Sequence, residues 1–260
     1  MIDFICIQGN KVDKDLAKRL AAQFECEITE NLQVQELQKA HENQKDAAYF
    51  LLDKTGLSFV AGNMTLKGDF SKLLSRVNHI QQEILLKAAG MTSGNAGASG
   101  SLLKAVDATA GLGEDSFILA AGGFEVELFE HNPVTAALLS DALIRARKDP
   151  ALKEIAKRMH LTVGDSKELL SKLSYEPDLI YLDPMFPEKK GSAESKKKLQ
   201  MLHKIESPCS DENELLKAAM DAGPKKIVIK RPPDGPFLGG VKPTYQIIRK
   251  AVRFDCINFR

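Results

Sequence analysis

The stretch Asp107-Ala108-Thr109-Ala110-Gly111-Leu112-Gly113-Glu114-Asp115 decides the fold of this chain. An apolar segment ends at Asp107, and a helical pattern begins at Glu114. Gly111 and Gly113 allow the backbone to come close to a ligand, and the N-terminus of the following helix offers unpaired N–H groups. A strand, a glycine-rich turn and a helix in this order predict a nucleotide site in an α/β sheet, with a plain tight turn as the alternative.

Strand and helix patterns alternate through the rest of the chain. Strands are predicted at residues 105–107, 125–130, 161–163, 179–182 and 226–229, and helices at 114–121, 135–147 and 166–173. This alternation predicts parallel βαβ units in a doubly wound, Rossmann-like α/β sheet, which residues 245–248 and 252–259 complete with closing strands. Ligands in such sheets bind at the carboxyl ends of the strands, near the point where the strand order reverses.

The segment before this alternation predicts a small N-terminal α+β domain. A strand at 4–7, a helix capped by Asp13 and a hairpin of strands 48–52 and 57–60 assign residues 1–68 to it. Residues 69–100 are predicted to form a helix from 69 to 90 and a glycine-rich linker from 94 to 100. Residues 101–260 then form the main domain.

Composition and charge exclude several classes of protein. Of the 260 residues, 43% are hydrophobic and 27% are charged, as in ordinary globular proteins, and the net charge of +1 argues neither for nor against nucleic acid. The four cysteines form no CxxC pair, so we expect no metal site. The N-terminus lacks a signal-peptide pattern, and no apolar run reaches about 20 residues, so we expect a cytoplasmic protein without a membrane segment.

The acidic residues around the glycine-rich loop indicate what kind of ligand it binds. A dinucleotide site would have a third glycine at position 116, where this chain has Ser116. Glu114 and Asp115 would repel a pyrophosphate, but they suit a cationic ligand such as the amino group and sulfonium of S-adenosylmethionine (SAM).

Polar residues follow two further predicted strands. Glu130 lies 19 positions after Gly111, where a carboxylate can accept hydrogen bonds from both ribose hydroxyls; a solvated strand end is the alternative. We expect His131 to pack beside the adenosine. Asp165 and Ser166 are predicted to contact the adenine, and a helix cap there is an alternative compatible with that contact.

Asp183-Pro184-Met185-Phe186-Pro187 is the most specific signal. The exocyclic amine of a purine is a poor nucleophile, because its lone pair is delocalised into the ring. Asp183 and the carbonyl of Pro184 can accept hydrogen bonds from the two N–H groups and direct the lone pair at a methyl carbon, while Phe186 stacks on the base. These three residues are therefore the predicted catalytic residues, with a simple proline turn as the alternative.

Basic residues next to this motif predict contacts with RNA phosphates, although a charge run is often only a solvated face. A second basic pair follows the 226–229 strand, and it is predicted either to clamp phosphate or to orient Asp183. The predicted RNA-binding residues are Lys189, Lys190, Lys196, Lys197, Lys230 and Arg231.

Five motifs occur in a characteristic order: 107–113 (DATAGLG), 130–133 (EHNP), 181–187 (YLDPMFP), 189–193 (KKGSA) and 230–232 (KRP). Over roughly residues 57–260 the chain resembles the bacterial ribosomal RNA small subunit methyltransferase J family. The resemblance implies a Rossmann-like methyltransferase domain at 101–260 and SAM-dependent N2-methylation of one guanosine in 16S rRNA. The predicted cofactor-binding set, drawn from the residues and from this resemblance together, is Asp107, Gly111, Gly113, Glu114, Asp115, Glu130, His131, Asp165, Ser166 and Asp183. The chain departs from the family's usual residues at three of these positions, Glu114, His131 and Asp165.

Other functions remain open at this point. The glycine-rich loop with Glu130 also fits an NAD-dependent oxidoreductase, although the missing third glycine counts against it. An adenine-N6 or DNA methyltransferase and a non-catalytic RNA-binding or ribosome assembly protein are further alternatives. The expected partner is 16S rRNA, either naked or in the small ribosomal subunit.

Overall fold

A computed structural model describes residues 2–30, 48–62, 64–91, 102–184 and 211–259. The described strands form two sheets. The strands are β1 (Phe4–Ile7), β2 (Glu27–Glu30), β3 (Ala48–Asp53), β4 (Gly56–Ala61), β5 (Met64–Leu66), β6 (Leu103–Asp107), β7 (Phe124–Glu130), β8 (Met159–Val163), β9 (Leu179–Leu182), β10 (Lys226–Arg231), β11 (Tyr245–Ile248) and β12 (Arg253–Asn258). The α-helices of the described residues are α1 (Lys14–Phe24), α2 (Leu74–Asn78), α3 (Ile84–Ala89), α4 (Glu114–Ala121), α5 (Pro133–Lys148), α6 (Lys153–Ala156), α7 (Ser166–Ser171) and α8 (Glu212–Asp221).

The larger sheet has seven strands in the order β11-β12-β10-β9-β6-β7-β8. Neighbouring strands from β10 to β8 pair in parallel, whereas β12 is antiparallel to both β10 and β11. The chain leaves β6 toward β7 and β8 and then returns to β9 on the other side of β6. The carboxyl ends of β6 and β9 therefore flank the switch point, where ligands of doubly wound sheets bind. The predicted Rossmann-like fold is confirmed.

Local steric and capping effects determine the shape of the glycine-rich loop and the start of α5. Gly113 has φ +74°, and a Cβ atom there would lie 2.7 Å from Leu139 Cδ1, so a side chain does not fit. Helix α5 begins at Pro133, two residues earlier than predicted, because Asn132 caps it. The Asn132 side chain accepts the N–H of Val134 at 2.9 Å, and proline suits the first helical position.

The prediction of one continuous helix over residues 69–90 is wrong. The segment contains a 3₁₀ turn at Phe70–Leu73, α2, a second 3₁₀ turn at Ile80–Gln82, and α3. His79 (φ −118°, ψ 32°) and Glu83 (φ −64°, ψ 121°) interrupt the helical backbone. The Glu83 carboxylate instead accepts two hydrogen bonds from Arg76, at 2.7 and 2.8 Å, and this pairing favours the bend. Periodicity alone does not detect such a break.

The predicted N-terminal elements are present, and they form the smaller sheet with strand order β2-β1-β3-β4-β5. This sheet packs against α5, because Val134 and Leu138 belong to the same buried cluster as its apolar side chains. Strands β2 and β5 and helices α6 and α8 had not been predicted. The linker at 94–100 lies outside the described residues. In the part of the chain that the structure describes, no helix has the length and apolar character that a membrane crossing requires.

Candidate active site

Asp107 organises the loop after β6 from within the protein. It is 1% exposed, and its carboxylate accepts the N–H of Thr109 at 3.0 Å and the hydroxyl of Ser116. Burial raises the pKa of Asp107 to about 7. The predicted cofactor residue Asp107 thus lies beneath the loop and supports its backbone.

Glu130 joins the end of β7 to the same loop. One carboxylate oxygen accepts the N–H of Gly111 at 2.8 Å, and the other accepts the N–H of Asn132 at 2.7 Å. Glu130 is only 4% exposed, so the alternative of a solvated strand end is wrong. His131 Nδ1 lies 3.6 Å from Glu130 Oε1, and the His131 side chain is exposed.

Asp165 and Ser166 connect the end of β8 to the first loop. The Asp165 side chain accepts the N–H of Lys167 at 2.8 Å and so caps α7. The Ser166 hydroxyl donates to the carbonyl oxygen of Ala108 at 2.6 Å. The alternative of a helix cap is therefore confirmed, and cofactor contact by this pair stays a prediction.

Asp183, at the end of β9, is held by two other elements. Its backbone N–H donates to Thr109 Oγ1 at 2.6 Å, and Lys230 Nζ donates to Asp183 Oδ2 at 2.8 Å. The same ammonium donates to Asp115 Oδ2 at 2.7 Å, and the Tyr181 hydroxyl donates to that oxygen at 2.6 Å. Residues from β9, β10 and α4 thus form one hydrogen-bonded group at the switch point.

The charges of this group stabilise one another. Burial is the largest single effect and disfavours the charged form of Asp115, but the Lys230 charge, the hydrogen bonds from Lys230 and Tyr181 and the Arg76 charge together lower the pKa of Asp115. Burial also lowers the pKa of Lys230, but Asp115 and Asp183 raise it by more, so its pKa lies above the ordinary value. The pKa of Tyr181 is raised, chiefly by burial. Two carboxylates and one ammonium leave a net negative charge at the carboxyl ends of β6 and β9.

The remaining predicted site residues fall into three groups. Glu114 is exposed at the N-terminus of α4, and Pro184 is buried next to Asp183. Arg231 has a fully buried side chain whose Nε donates to the carbonyl oxygen of Pro236 at 2.9 Å, so the structure places it inside the protein and not among surface cations. Five predicted residues lie outside the described part of the chain: Phe186, Lys189, Lys190, Lys196 and Lys197.

Sequence analysis missed two members of the site, Thr109 and Tyr181. Thr109 was treated only as part of the glycine-rich turn, although its hydroxyl oxygen accepts the N–H of Asp183. Tyr181 carries the one polar side chain of β9, and all four residues of that strand are buried. A buried tyrosine needs a hydrogen-bond partner, and this need was the signal that could have found it.

Comparisons with known proteins agree with this geometry. A family model described as putative SAM-dependent methyltransferase matches residues 21–258. Two similar curated proteins are both named ribosomal RNA small subunit methyltransferase J. The one from Aeromonas salmonicida is 38% identical over 221 residues, which cover 85% of this chain and 81% of the relative. The one from Thioalkalivibrio sulfidiphilus is 45% identical over 152 residues, which cover 58% of this chain and only 60% of the relative.

A solved structure gives the same picture for the whole chain. The crystal structure of a SAM-dependent methyltransferase from Neisseria gonorrhoeae superimposes with a TM-score of 0.71 at 27% identity. The superposition covers 98% of this chain and 95% of that protein, so both sheets are included.

Proposed function

Because this chain belongs to the ribosomal RNA small subunit methyltransferase J family, we propose that it methylates the exocyclic N2 of a guanosine in 16S rRNA, with SAM as methyl donor. The observation that carries the proposal is the hydrogen-bonded group of Asp115, Lys230 and Asp183 at the switch point. Its partner is then 16S rRNA or the small ribosomal subunit, and its place is the cytoplasm, where ribosomal subunits are found.

The residues at the ends of β6 and β7 fit SAM. A carboxylate has about four acceptor positions, so Glu130 can accept ribose hydroxyls while it holds Gly111 and Asn132. The net negative charge around Asp115 favours a cationic ligand over a pyrophosphate, which counts against a nicotinamide dinucleotide. When bound, SAM supplies an electrophilic methyl group on a positively charged sulfur.

The remaining members of the predicted cofactor set support this site in different ways. Asp107 shapes the loop from below. Asp165 and Ser166 fix the edge of the site at the end of β8, and we still propose that this pair contacts the adenine. We propose that the other seven members contact the donor directly, the two glycines through their backbone. These are Gly111, Gly113, Glu114, Asp115, Glu130, His131 and Asp183.

Asp183 is the proposed acceptor for the amine of the target base. A carboxylate and the adjacent Pro184 carbonyl can accept hydrogen bonds from the two N–H groups and orient the nitrogen lone pair. Lys230 and Thr109 fix Asp183 from two directions, so the acceptor is preorganised. Phe186 is proposed to stack on the base once it leaves its own stack.

The RNA contacts form a separate part of the proposal. Lys189, Lys190, Lys196 and Lys197 directly follow the Asp183 motif in the chain and are proposed to contact phosphates. Lys230 engages two carboxylates, so for Lys230 we favour the alternative of orienting Asp183 over contact with phosphate. Arg231 is buried against Pro236 and Glu212, so we propose neither role for it.

The test uses small ribosomal subunits and naked 16S rRNA from a strain that lacks this gene. Each is incubated with the purified protein and SAM carrying a labelled methyl group, and the RNA is digested and analysed by mass spectrometry. We expect labelled N2-methylguanosine. Labelled N6-methyladenosine, or RNA binding without any transfer, would contradict the proposal.

A variant separates catalysis from binding. Asp183→Ala is expected to lower the rate of methyl transfer at least about 100-fold while RNA affinity changes little, because the base loses its oriented acceptor. Asp221→Asn, at the exposed end of α8, serves as the matched control. A non-catalytic assembly protein predicts no effect from either substitution.

A further inference from the structure

Lys230 is the contact that joins the two halves of the site. Its ammonium lies 2.7 Å from Asp115 on α4 and 2.8 Å from Asp183 after β9, and these residues are 68 positions apart. The Asp115 side chain is 19% exposed, and that of Asp183 is 36% exposed. Two carboxylates so close together and partly shielded from water are stable as a charged pair only with a cation between them.

We infer that Lys230 is a positioning residue that joins Asp115 and Asp183 into one unit of single negative charge, so that donor binding and orientation of the target amine depend on the same contact. The inference rests on the proposed function, in which Asp115 faces the cationic donor and Asp183 faces the base. It assigns Lys230 a role in specificity for a positively charged ligand, in addition to any role in stability.

No other cation among the described residues contacts both carboxylates. Arg76 on α2 lies near enough for its charge to lower the pKa of Asp115, but its guanidinium is paired with Glu83. Phe254 on β12 is the apolar neighbour of Lys230 in the sheet register. Further groups whose charges act on this unit are Asp107 on β6, Tyr181 on β9 and Arg231 on β10, while Glu114 on α4 acts on Arg76.

If Lys230 acts through its charge, removal of its ammonium should make SAM affinity depend on pH. Loss of a purely structural contact would not do this. In Lys230→Met the two carboxylates repel each other, and the pair takes up one proton in a pH range nearer neutrality. The protonated pair attracts a sulfonium less strongly. Donor affinity should therefore fall as the pH falls, and it should recover when alkaline pH removes the proton.

The experiment measures the dissociation constant of SAM by titration calorimetry at pH 6 and at pH 9, without RNA. Lys230→Met is compared with wild type, with the charge-preserving Lys230→Arg, and with Lys225→Met. Lys225 precedes the same strand at the opposite end of the sheet and pairs with Asp178 at 2.6 Å, so it controls for loss of a paired lysine. The double variant Asp115→Asn/Lys230→Met removes the repulsion.

Asp107 titrates between these pH values in every protein compared, so the pH dependence of each variant is taken relative to that of the wild type. On this scale we expect SAM to bind Lys230→Met about 10-fold more weakly at pH 6 than at pH 9, the effect of a change of one pKa unit, and the other three variants should differ from the wild type by less than about 3-fold. Equal pH dependence in Lys230→Met and wild type, or an excess over wild type that persists in the double variant, would overturn the inference. If Lys230→Met does not fold, Lys230→Gln takes its place with the same expected results.

These outcomes are distinct from failure of the proposed function. The titration needs neither RNA nor turnover, so it stands whichever base is methylated. Absence of N2-methylguanosine would contradict the proposed reaction and leave the result on Lys230 unchanged, whereas a wild type that binds no SAM would contradict both.

Discussion

The backbone N–H of Asp183 donates a hydrogen bond to Thr109 Oγ1 at 2.6 Å. Thr109 belongs to the glycine-rich loop after β6, and Asp183 follows β9, so this contact joins the two strand ends that flank the switch point. The Thr109 hydroxyl also lies 3.4 Å from Asp107 Oδ1. One side chain therefore links the loop proposed to bind the donor to the residue proposed to bind the base.

Thr109→Val keeps the shape of the side chain and removes this acceptor. The N–H of Asp183 then lacks its partner, and we expect the rate of methyl transfer to fall about 10-fold as the carboxylate loses its orientation. Single-turnover kinetics with saturating SAM measure the effect. Thr109→Ser retains the hydroxyl and should transfer methyl at nearly the wild-type rate; an equal loss in both variants would show that the methyl group of Thr109 matters instead.

Glu130→Gln places an amide where two backbone N–H groups require acceptors. Only the carbonyl oxygen can serve, so either Gly111 or Asn132 loses a partner, and the ribose loses a charged acceptor. SAM affinity measured by calorimetry should fall about 10- to 100-fold. Glu125→Gln, at the half-exposed start of the same strand, is the control. Unchanged affinity in Glu130→Gln would exclude the ribose role.

The raised pKa of Asp107 predicts that the stability of the protein depends on pH. Its pKa of about 7 in the folded protein exceeds the ordinary value of 3.8, so between these values the folded state holds a proton that the unfolded chain has lost. The bound proton therefore contributes to the stability of the folded state. This contribution to the free energy of unfolding is complete below pH 3.8 and is lost as the pH rises toward 7, with a slope of at most about 1.4 kcal/mol per pH unit.

Urea unfolding of wild type and Asp107→Asn between pH 5 and pH 8 provides the measurement. The free energy of unfolding of Asp107→Asn should gain on that of the wild type as the pH rises to about 7, and the difference should then level off. A difference that is constant with pH would mean that Asp107 is ionised throughout this range in the folded protein.

Asp141 attaches the smaller sheet to α5. Its buried carboxylate accepts the N–H of Leu57 at 3.0 Å and the Nε–H of Arg145 at 2.7 Å, while Arg145 also donates to the carbonyl oxygen of Gly68. Asp141→Ala should lower the free energy of unfolding by about 1–3 kcal/mol, because a buried N–H loses its acceptor. Chemical denaturation measures the loss. Asp149→Ala, after the end of α5, should cost less; equal costs would argue against the junction.

The same junction bears on the proposed domain boundary at residue 68. Leu112, Val134 and Leu138 belong to the main part of the chain, but they pack in one cluster with the apolar side chains of the smaller sheet. A fragment of residues 69–260 would expose them, and we expect it to bind a hydrophobic dye and to aggregate. A fragment that stays monomeric and binds SAM with full affinity would show that the N-terminal unit is separable.

Much of the fold could be predicted from local patterns. β1 and β9 begin and end at the predicted residues, because a short apolar run bounded by turn residues has few alternatives. The break between α2 and α3 escaped prediction, since apolar residues keep helical spacing across it and the deciding contact is the Arg76–Glu83 pair. α8 was missed because it follows a long charged segment without a clear strand before it.

The sequence by itself determined which residue types follow each strand: glycines after β6, a carboxylate at the end of β7 and another after β9. Residue types and their spacing along the chain show this without a structure, and they were sufficient to indicate SAM as the methyl donor and a purine amine as the acceptor. Only the tertiary structure decided the partners. Strand order brings β10 beside β9 and turns Lys230 toward Asp115 and Asp183, while Arg231, one residue later, points to the opposite face and is buried. Alternate residues of a strand face opposite sides, and which side holds the site depends on strands far away in the chain.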